Sequence, residues 1–123
     1  MGAKVDYTKQ IDTTKTLFAV VHEFQDEVAD AGTVAIDITC QETMIKIDEM
    51  AQAITALDLT IDPRVVAGAK IFLKLPSDAT GRDVTLGTGT DTSVISGVSS
   101  KIKWATLIYD GTIFNLVSAY QIE

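Results

Sequence analysis

The stretch that decides the fold is KIKWATLIYDGTIFNLVSAYQ, residues 101–121. Two runs rich in Ile, Leu, Tyr, Phe and Val flank Asp110 and Gly111, and in each run alternate residues form two sets, as on the two faces of a β-strand. An Asp-Gly pair between two such runs predicts a β-hairpin with a type I′ turn, because both central residues of that turn need a positive φ. The sequence therefore predicts a C-terminal hairpin with Asp110 and Gly111 at its turn.

The same alternation recurs upstream of the hairpin, from Thr33 onward, between turn signals. In AKIFLKL, Ile71, Leu73 and Leu75 are predicted to face inward, and Lys70, Phe72 and Lys74 outward. The other strand patterns are TVAIDIT, ETMIKIDEM, ITALDLTID and RDVTLGTG, and no internal repeat is visible. Because no helical segments separate these strands, the pattern predicts an all-β protein, an antiparallel β-sandwich or jelly roll of about seven strands.

Residues 13–31, TTKTLFAVVHEFQDEVADA, fit two interpretations. Leu17, Val20, Phe24 and Val28 fall at helical spacing, and Gly32 could end a helix in the left-handed conformation. The run Leu17 to His22 also alternates as a strand would. The helix is the preferred interpretation, which adds one N-terminal helix to the sandwich, and the strand stays open.

Residues 1–12 form a polar segment with isolated apolar side chains at Val5, Tyr7 and Ile11. We interpret them as an N-terminal arm that precedes a single β-sandwich domain, residues 13–123. Such a segment is either a frayed terminus or one that becomes ordered only against a neighbouring subunit or a larger assembly.

Composition excludes several classes of function. The chain has 123 residues and a formal net charge of −7, and it contains no cluster of Lys and Arg. A negative field repels phosphate groups, so neither nucleic acids nor anionic membranes are expected partners. The longest apolar run, residues 17–21, is too short to cross a bilayer, and the N-terminus lacks the pattern of a secretory signal, which favours synthesis and folding in the cytosol.

No motif in the sequence predicts catalysis or a cofactor. The single His22 and single Cys40 are far apart in sequence, and Cys40 is interpreted as a structural thiol on a strand. The Gly-x-Gly in LGTGTDTS is not followed by a helix, as a phosphate-binding loop requires. The loop carboxylates flanking ATGR and LTI match no calcium motif. We therefore expect neither an enzyme nor a bound metal.

The chain from about Ala56 to its C-terminus resembles small β-domains of tailed-bacteriophage virion proteins, of the head-decoration and head- or tail-fibre type. The resemblance is carried by LDLTID, then AGAKIFLKLPSDATGRDVTL, a Gly/Thr-rich loop, and KIKWATLIYDGTIFNLVSAY. These segments cover a little over half of the chain, and the N-terminal half matches no family in this way.

The resemblance implies a non-enzymatic virion structural protein, assembled in the host cytoplasm, that decorates or attaches to the capsid. Its expected partners are copies of itself, as a homotrimer, and the major capsid protein or other virion proteins. The residues expected at the interface are Val5, Tyr7, Ile11, Leu17 and Phe18. The alternative is a carbohydrate- or receptor-binding module of the tail-fibre type, which would expose Phe72, Trp104 or Tyr120. A small hydrolase is a third and weaker interpretation.

Overall fold

The computed structural model describes the backbone of residues 17–24 and 32–122 and the side chains of residues 32–121. These residues form nine β-strands and no helix. The strands are β1 Leu17–Phe24, β2 Thr33–Ile38, β3 Cys40–Ile47, β4 Ile54–Ile61, β5 Lys70–Pro76, β6 Val84–Leu86, β7 Val94–Ile95, β8 Ile102–Tyr109 and β9 Phe114–Ile122. The prediction of an all-β sandwich is confirmed, with two more strands than the pattern suggested.

Two sheets share the strands. Sheet A has the order β1-β3-β5-β8-β9, and sheet B has the order β2-β4-β6-β7. Inward side chains from both sheets form one hydrophobic core, which includes Ile36, Leu57 and Leu59 from sheet B and Ile45 and Leu73 from sheet A. The inward residues predicted for β5 are buried, and Phe72 faces outward, because strand side chains alternate with period two.

The prediction that the sheets are antiparallel is wrong for most of the pairings. Consecutive strands from β1 to β6 alternate between the sheets, so that β1, β3 and β5 are parallel neighbours, as are β2, β4 and β6. Among the nine described strands, only the β5/β8, β8/β9 and β6/β7 pairs are antiparallel. The chain thus winds through three turns, each contributing one strand to each sheet, rather than following the antiparallel path of a jelly roll.

The first two turns have the same length. In sheet A, Leu17 aligns with Cys40, and in sheet B, Thr33 aligns with Ala56, an offset of 23 positions in both sheets. The step from the second turn to the third is longer, since Glu42 aligns with Lys70. The structure therefore has a repeating path that the sequence does not display as repeated residues.

The preferred helix over residues 13–31 is wrong where the structure describes it, because Leu17–Phe24 is a strand. It pairs along its length with β3, and this pairing gives hydrogen-bond partners to the backbone groups on one side of the strand. The run also contains Val20 and Val21, whose branched side chains favour strands. The rest of that segment, residues 13–16 and 25–31, lies outside the described residues.

The C-terminal hairpin is formed by β8 and β9, but its turn differs from the prediction. Tyr109 pairs with Phe114, which leaves a loop of residues 110–113, and Gly111 has a φ of 101°. Among the described non-glycine residues only Thr92 and Ser100 have positive φ, so Asp110 does not adopt a type I′ conformation. Its carboxylate instead accepts hydrogen bonds from the amides of Thr112 and Ile113, which favours the longer loop.

Candidate functional site

The outer face of sheet A is the candidate site. It carries outward residues of β3, β5, β8 and β9, and parallel and antiparallel register aligns them in rows across the sheet. One row places Lys74 beside Trp104 and Trp104 beside Tyr120, and the next places Met44 beside Phe72. We call this surface the lysine-aromatic face, and its members are Met44, Lys46, Lys70, Phe72, Lys74, Trp104, Ile108 and Tyr120.

Large apolar side chains on this face remain accessible to solvent. Phe72 is 37% exposed and Tyr120 is 54% exposed, while half-buried Trp104 is aligned with Tyr120 and lies one row away from Phe72. The ammonium group of Lys74 lies over the Trp104 ring at 5.9 Å from the centroid, within the range of a cation-π contact. Contiguous exposed aromatic residues on a sheet are typical of a binding surface.

The charge of this face is opposite to that of the whole chain. Lys46, Lys70 and Lys74 lie on it with Glu42, and the register also aligns Glu23 of β1 with Lys46, so that lysines outnumber carboxylates on this face in a protein whose net charge is −7. The outer face of sheet B differs in both respects. Apart from exposed Val94, its outward side chains are small or acidic, namely Thr33, Ala35, Asp37, Ala56, Asp58, Thr60 and Thr85. The two outer faces therefore suit different partners.

Several loop carboxylates have structural partners. Arg82 donates from Nε and Nη2 to Asp78, both at 2.9 Å, and these bonds hold the pKa of Asp78 below its usual range. Arg64 makes the same two-point contact with Asp62 and lowers the pKa of that carboxyl to about 2. Asp58, which flanks LTI together with Asp62, accepts a hydrogen bond from the Thr88 amide.

The Gly/Thr-rich loop, residues 87–93, joins the ends of the two sheets. Its Gly87 amide donates to Leu57 of sheet B, and the Asp91 amide donates to Phe114 of sheet A. The Asp91 carboxylate also accepts from the Leu116 amide at 3.0 Å. Burial alone would raise the pKa of Asp91, but the hydrogen bonds from Leu116 and Ser93 lower it. The loop therefore has a structural role, because its hydrogen bonds connect the two sheets.

The residues predicted at the interface fall mostly outside the described structure. Val5, Tyr7 and Ile11 lie outside it, and Leu17 and Phe18 are described only as backbone at the start of β1, an edge strand of sheet A. The structure instead brings together the three aromatic residues that the alternative interpretation named. The lysines beside them were not predicted as site residues, although the Lys-Phe-Lys alternation of β5 already places two of them with Phe72 on one face.

Two other features, a metal-binding cluster and a membrane-spanning helix, are absent from the described residues. Within residues 32–121, no group of three or more His, Cys, Asp or Glu side chains is placed to hold a metal ion. The described part of the chain also contains no helix long and apolar enough to cross a membrane. Comparisons with models of protein families, with curated proteins and with solved structures find no match to this chain.

Proposed function

We propose that this protein is a non-enzymatic structural subunit of a tailed-phage virion, which oligomerises and attaches to the particle surface through the lysine-aromatic face. The observation that carries the proposal is the exposure of Phe72 and Tyr120 beside half-buried Trp104, on a face that is cationic in an acidic chain. The resemblance of the C-terminal half to virion β-domains supplies the biological setting.

The size of the face is adequate for a specific interface. Five strands about 4.8 Å apart, each of about eight residues rising about 3.3 Å, give roughly 600 Å² of projected area. Stable protein interfaces bury about 800 Å² of accessible surface on each partner. A partner that covers the whole face would therefore bury a standard amount of surface, with Phe72, Trp104 and Tyr120 as its aromatic anchors.

The charge of the face selects the kind of partner. A two-fold pairing of the face with itself would bring the lysines of one copy against those of the other, which costs free energy. An acidic surface is the complementary partner, either on the capsid or on a different part of another copy. Contact between two different surfaces of identical chains gives a ring when the rotation between neighbours closes, so such a contact supports a cyclic oligomer such as a trimer over a two-fold dimer.

The experiment that tests the proposal compares two single substitutions. Phe72→Glu places a carboxylate at the centre of the face, whereas Thr60→Glu places one on the outer face of sheet B as a matched control. Native molar mass by light scattering should give a multiple of 13.2 kDa for the wild type and Thr60→Glu, and the monomer mass for Phe72→Glu. Co-sedimentation with capsids should be lost in the same variant. Unchanged mass and unchanged co-sedimentation in a folded Phe72→Glu would contradict the proposal.

A carbohydrate- or receptor-binding module is the second candidate, and the clustering of the aromatic residues favours it. Aromatic faces stack against sugar rings, but the Lys74 ammonium lies over the Trp104 ring. Asp62 and Asp78, which could otherwise bond sugar hydroxyls, are held by arginines. A glycan array probed with the wild type and Trp104→Ala distinguishes the candidates: reproducible hits that the variant loses favour the module, and no hits favour the structural subunit.

A further inference from the structure

The loop of the C-terminal hairpin contains the only Asp-Gly pair in the sequence, Asp110-Gly111, and both residues are exposed. In such a pair the backbone nitrogen of Gly can attack the side-chain carboxyl of Asp, because Gly has no Cβ to hinder the approach. Among the described residues, a Cβ built on Gly111 would have one neighbour within 4 Å beyond the adjoining residues, the Cβ of Ala67 at 3.8 Å. Asp110 therefore has both the sequence and the open surroundings that this cyclisation needs.

Cyclisation converts Asp110 first into a succinimide and then into isoaspartate. The Gly111 nitrogen forms a bond to Cγ of Asp110, the bond from Cγ to its hydroxyl breaks, and the hydroxyl leaves with the amide proton as water. Water then adds to the former backbone carbonyl carbon of Asp110, the bond from that carbon to the Gly111 nitrogen breaks, and the nitrogen remains bonded to Cγ and regains a proton. The mass does not change, and the first step needs the protonated carboxyl.

Three hydrogen-bond donors hold the Asp110 carboxylate, and we call them the Asp110 clamp. Oδ1 accepts from the backbone amides of Thr112 at 2.8 Å and Ile113 at 2.9 Å, and Oδ2 accepts from Nδ2 of Asn115 at 2.9 Å. Hydrogen bonds to a carboxylate stabilise its ionised form. The bonds from Ile113, Asn115 and Thr112, in that order of effect, accordingly hold the pKa of Asp110 below its usual range.

Asn115 differs from the other two donors because it belongs to a strand. It lies on β9, aligned with Ile108 of β8, and its Nδ2 also donates to the Ile113 carbonyl at 3.4 Å, which orients the amide group. The bond from Asn115 therefore ties the carboxylate to the paired strands, and it opposes cyclisation by keeping the carboxylate ionised and in one orientation. We propose that Asp110-Gly111 is a site of isoaspartate formation, and that Asn115 protects it in the folded protein.

Conversion of Asp110 would change the hairpin loop permanently. The loop is closed by the bond from the Asp110 amide to the Ile113 carbonyl at 3.0 Å, and by the stacked rings of Tyr109 and Phe114, 4.9 Å apart. Isoaspartate adds a methylene carbon to the backbone and leaves the carboxylate directly on Cα, so the carboxylate loses its place in the Asp110 clamp. This inference concerns the loop alone and does not depend on the proposed function, so each can fail without the other.

Incubation of the folded protein at pH 5 in water enriched in oxygen-18 tests the proposal. Each ring opening adds one labelled oxygen to residue 110, so peptide mass mapping counts the conversions, and chromatography separates the aspartate peptide from the isoaspartate peptide. Asn115→Ala should convert about three- to tenfold faster than the wild type, because the carboxylate loses one hydrogen bond to a charged group. Asn115→Asp keeps the size of the side chain without the NH₂ donor, so it should also convert faster, and it replaces Asn115→Ala if that variant does not fold.

Two controls separate protection by Asn115 from a general loss of stability. Thr43→Ser removes a methyl group from buried Thr43 and leaves the Asp110 clamp intact, so it should convert at the wild-type rate. In denaturant, the wild type and Asn115→Ala should convert at equal rates, because the unfolded chain has no Asp110 clamp. A folded Asn115→Ala protein that converts no faster than the wild type would overturn the proposal. Equal acceleration in Thr43→Ser would also overturn it, since conversion would then follow unfolding.

Discussion

The Thr43 hydroxyl provides the sharpest test of how the core is packed. Thr43 lies on the inner face of β3, aligned with Ile71, and is 1% exposed. Its Oγ1 has no hydrogen-bond partner within the part of the chain that the structure describes. Burial of an unpaired hydroxyl costs about 1–3 kcal/mol in mutational data. Valine has nearly the same shape without this group, so Thr43→Val should stabilise the fold.

The expected gain is about 1–3 kcal/mol in the free energy of unfolding, because the substitution removes the desolvation cost and leaves the packing volume unchanged. For a domain of this size, each kcal/mol raises Tm by about 3–6 °C. Urea unfolding at one fixed protein concentration should show a higher midpoint with the same slope, which separates a change in stability from a change in the exposed surface.

Thr43→Ser is the matched control. It keeps the hydroxyl and removes the methyl group, so it should lower stability by about 1 kcal/mol through lost burial and a small cavity. The two variants should therefore move the midpoint in opposite directions. A Thr43→Val protein that is less stable than the wild type would show that the hydroxyl has a partner, and the reasoning would be refuted.

Two further predictions concern the loops. Gly97→Ala should lower the free energy of unfolding by about 2 kcal/mol or more, since its Cβ would collide with the Arg82 backbone; Gly68→Ala, with open space but a φ of 98°, should cost only about 1 kcal/mol in thermal melts. Arg64 lowers the pKa of Asp62 to about 2 in the folded protein, so this carboxylate stabilises the fold above about pH 4 and loses that contribution as the pH falls towards 2. Asp62→Asn should therefore flatten the acid side of the stability profile between pH 5 and 2, and an unchanged profile would count against the ion pair.

The strands and the core could be predicted because apolar and polar residues alternate along most of the strands, and this alternation can be read from the sequence alone. In β5, apolar residues alternate with Lys70, Phe72 and Lys74, and the structure buries the first set and exposes the second. The secondary structure of residues 17–24 was harder to predict, because their apolar residues fit both the helical period of about 3.6 and the strand period of two. Pairing with β3 makes this segment a strand, and a partner 23 positions away is not visible in a local pattern.

Strand direction could not be predicted for a related reason. The offset of 23 positions aligns Leu17–Phe24 with β3 and Thr33–Ile38 with β4, but few of the aligned residues match in type, so no repeat is evident in the sequence. The candidate site could not be predicted either, because it depends on how strands that are distant in sequence are aligned. Trp104 and Tyr120 each stand out as aromatic residues, yet only the register places them side by side and brings Lys74 against the Trp104 ring.

The edge strands at the two ends of the stack of turns differ in how well they are protected from pairing with another strand. At the C-terminal end, β7 has only two residues, and β9 has a bulge at which exposed Val117 has no partner in β8. Short strands and bulges are both known to prevent edge pairing. At the other end, β2 has neither feature. Among the described residues, the stack is therefore blocked at one end and regular at the other. The lysine-aromatic face lies on the side of the stack, so a partner can bind to it without pairing with either edge.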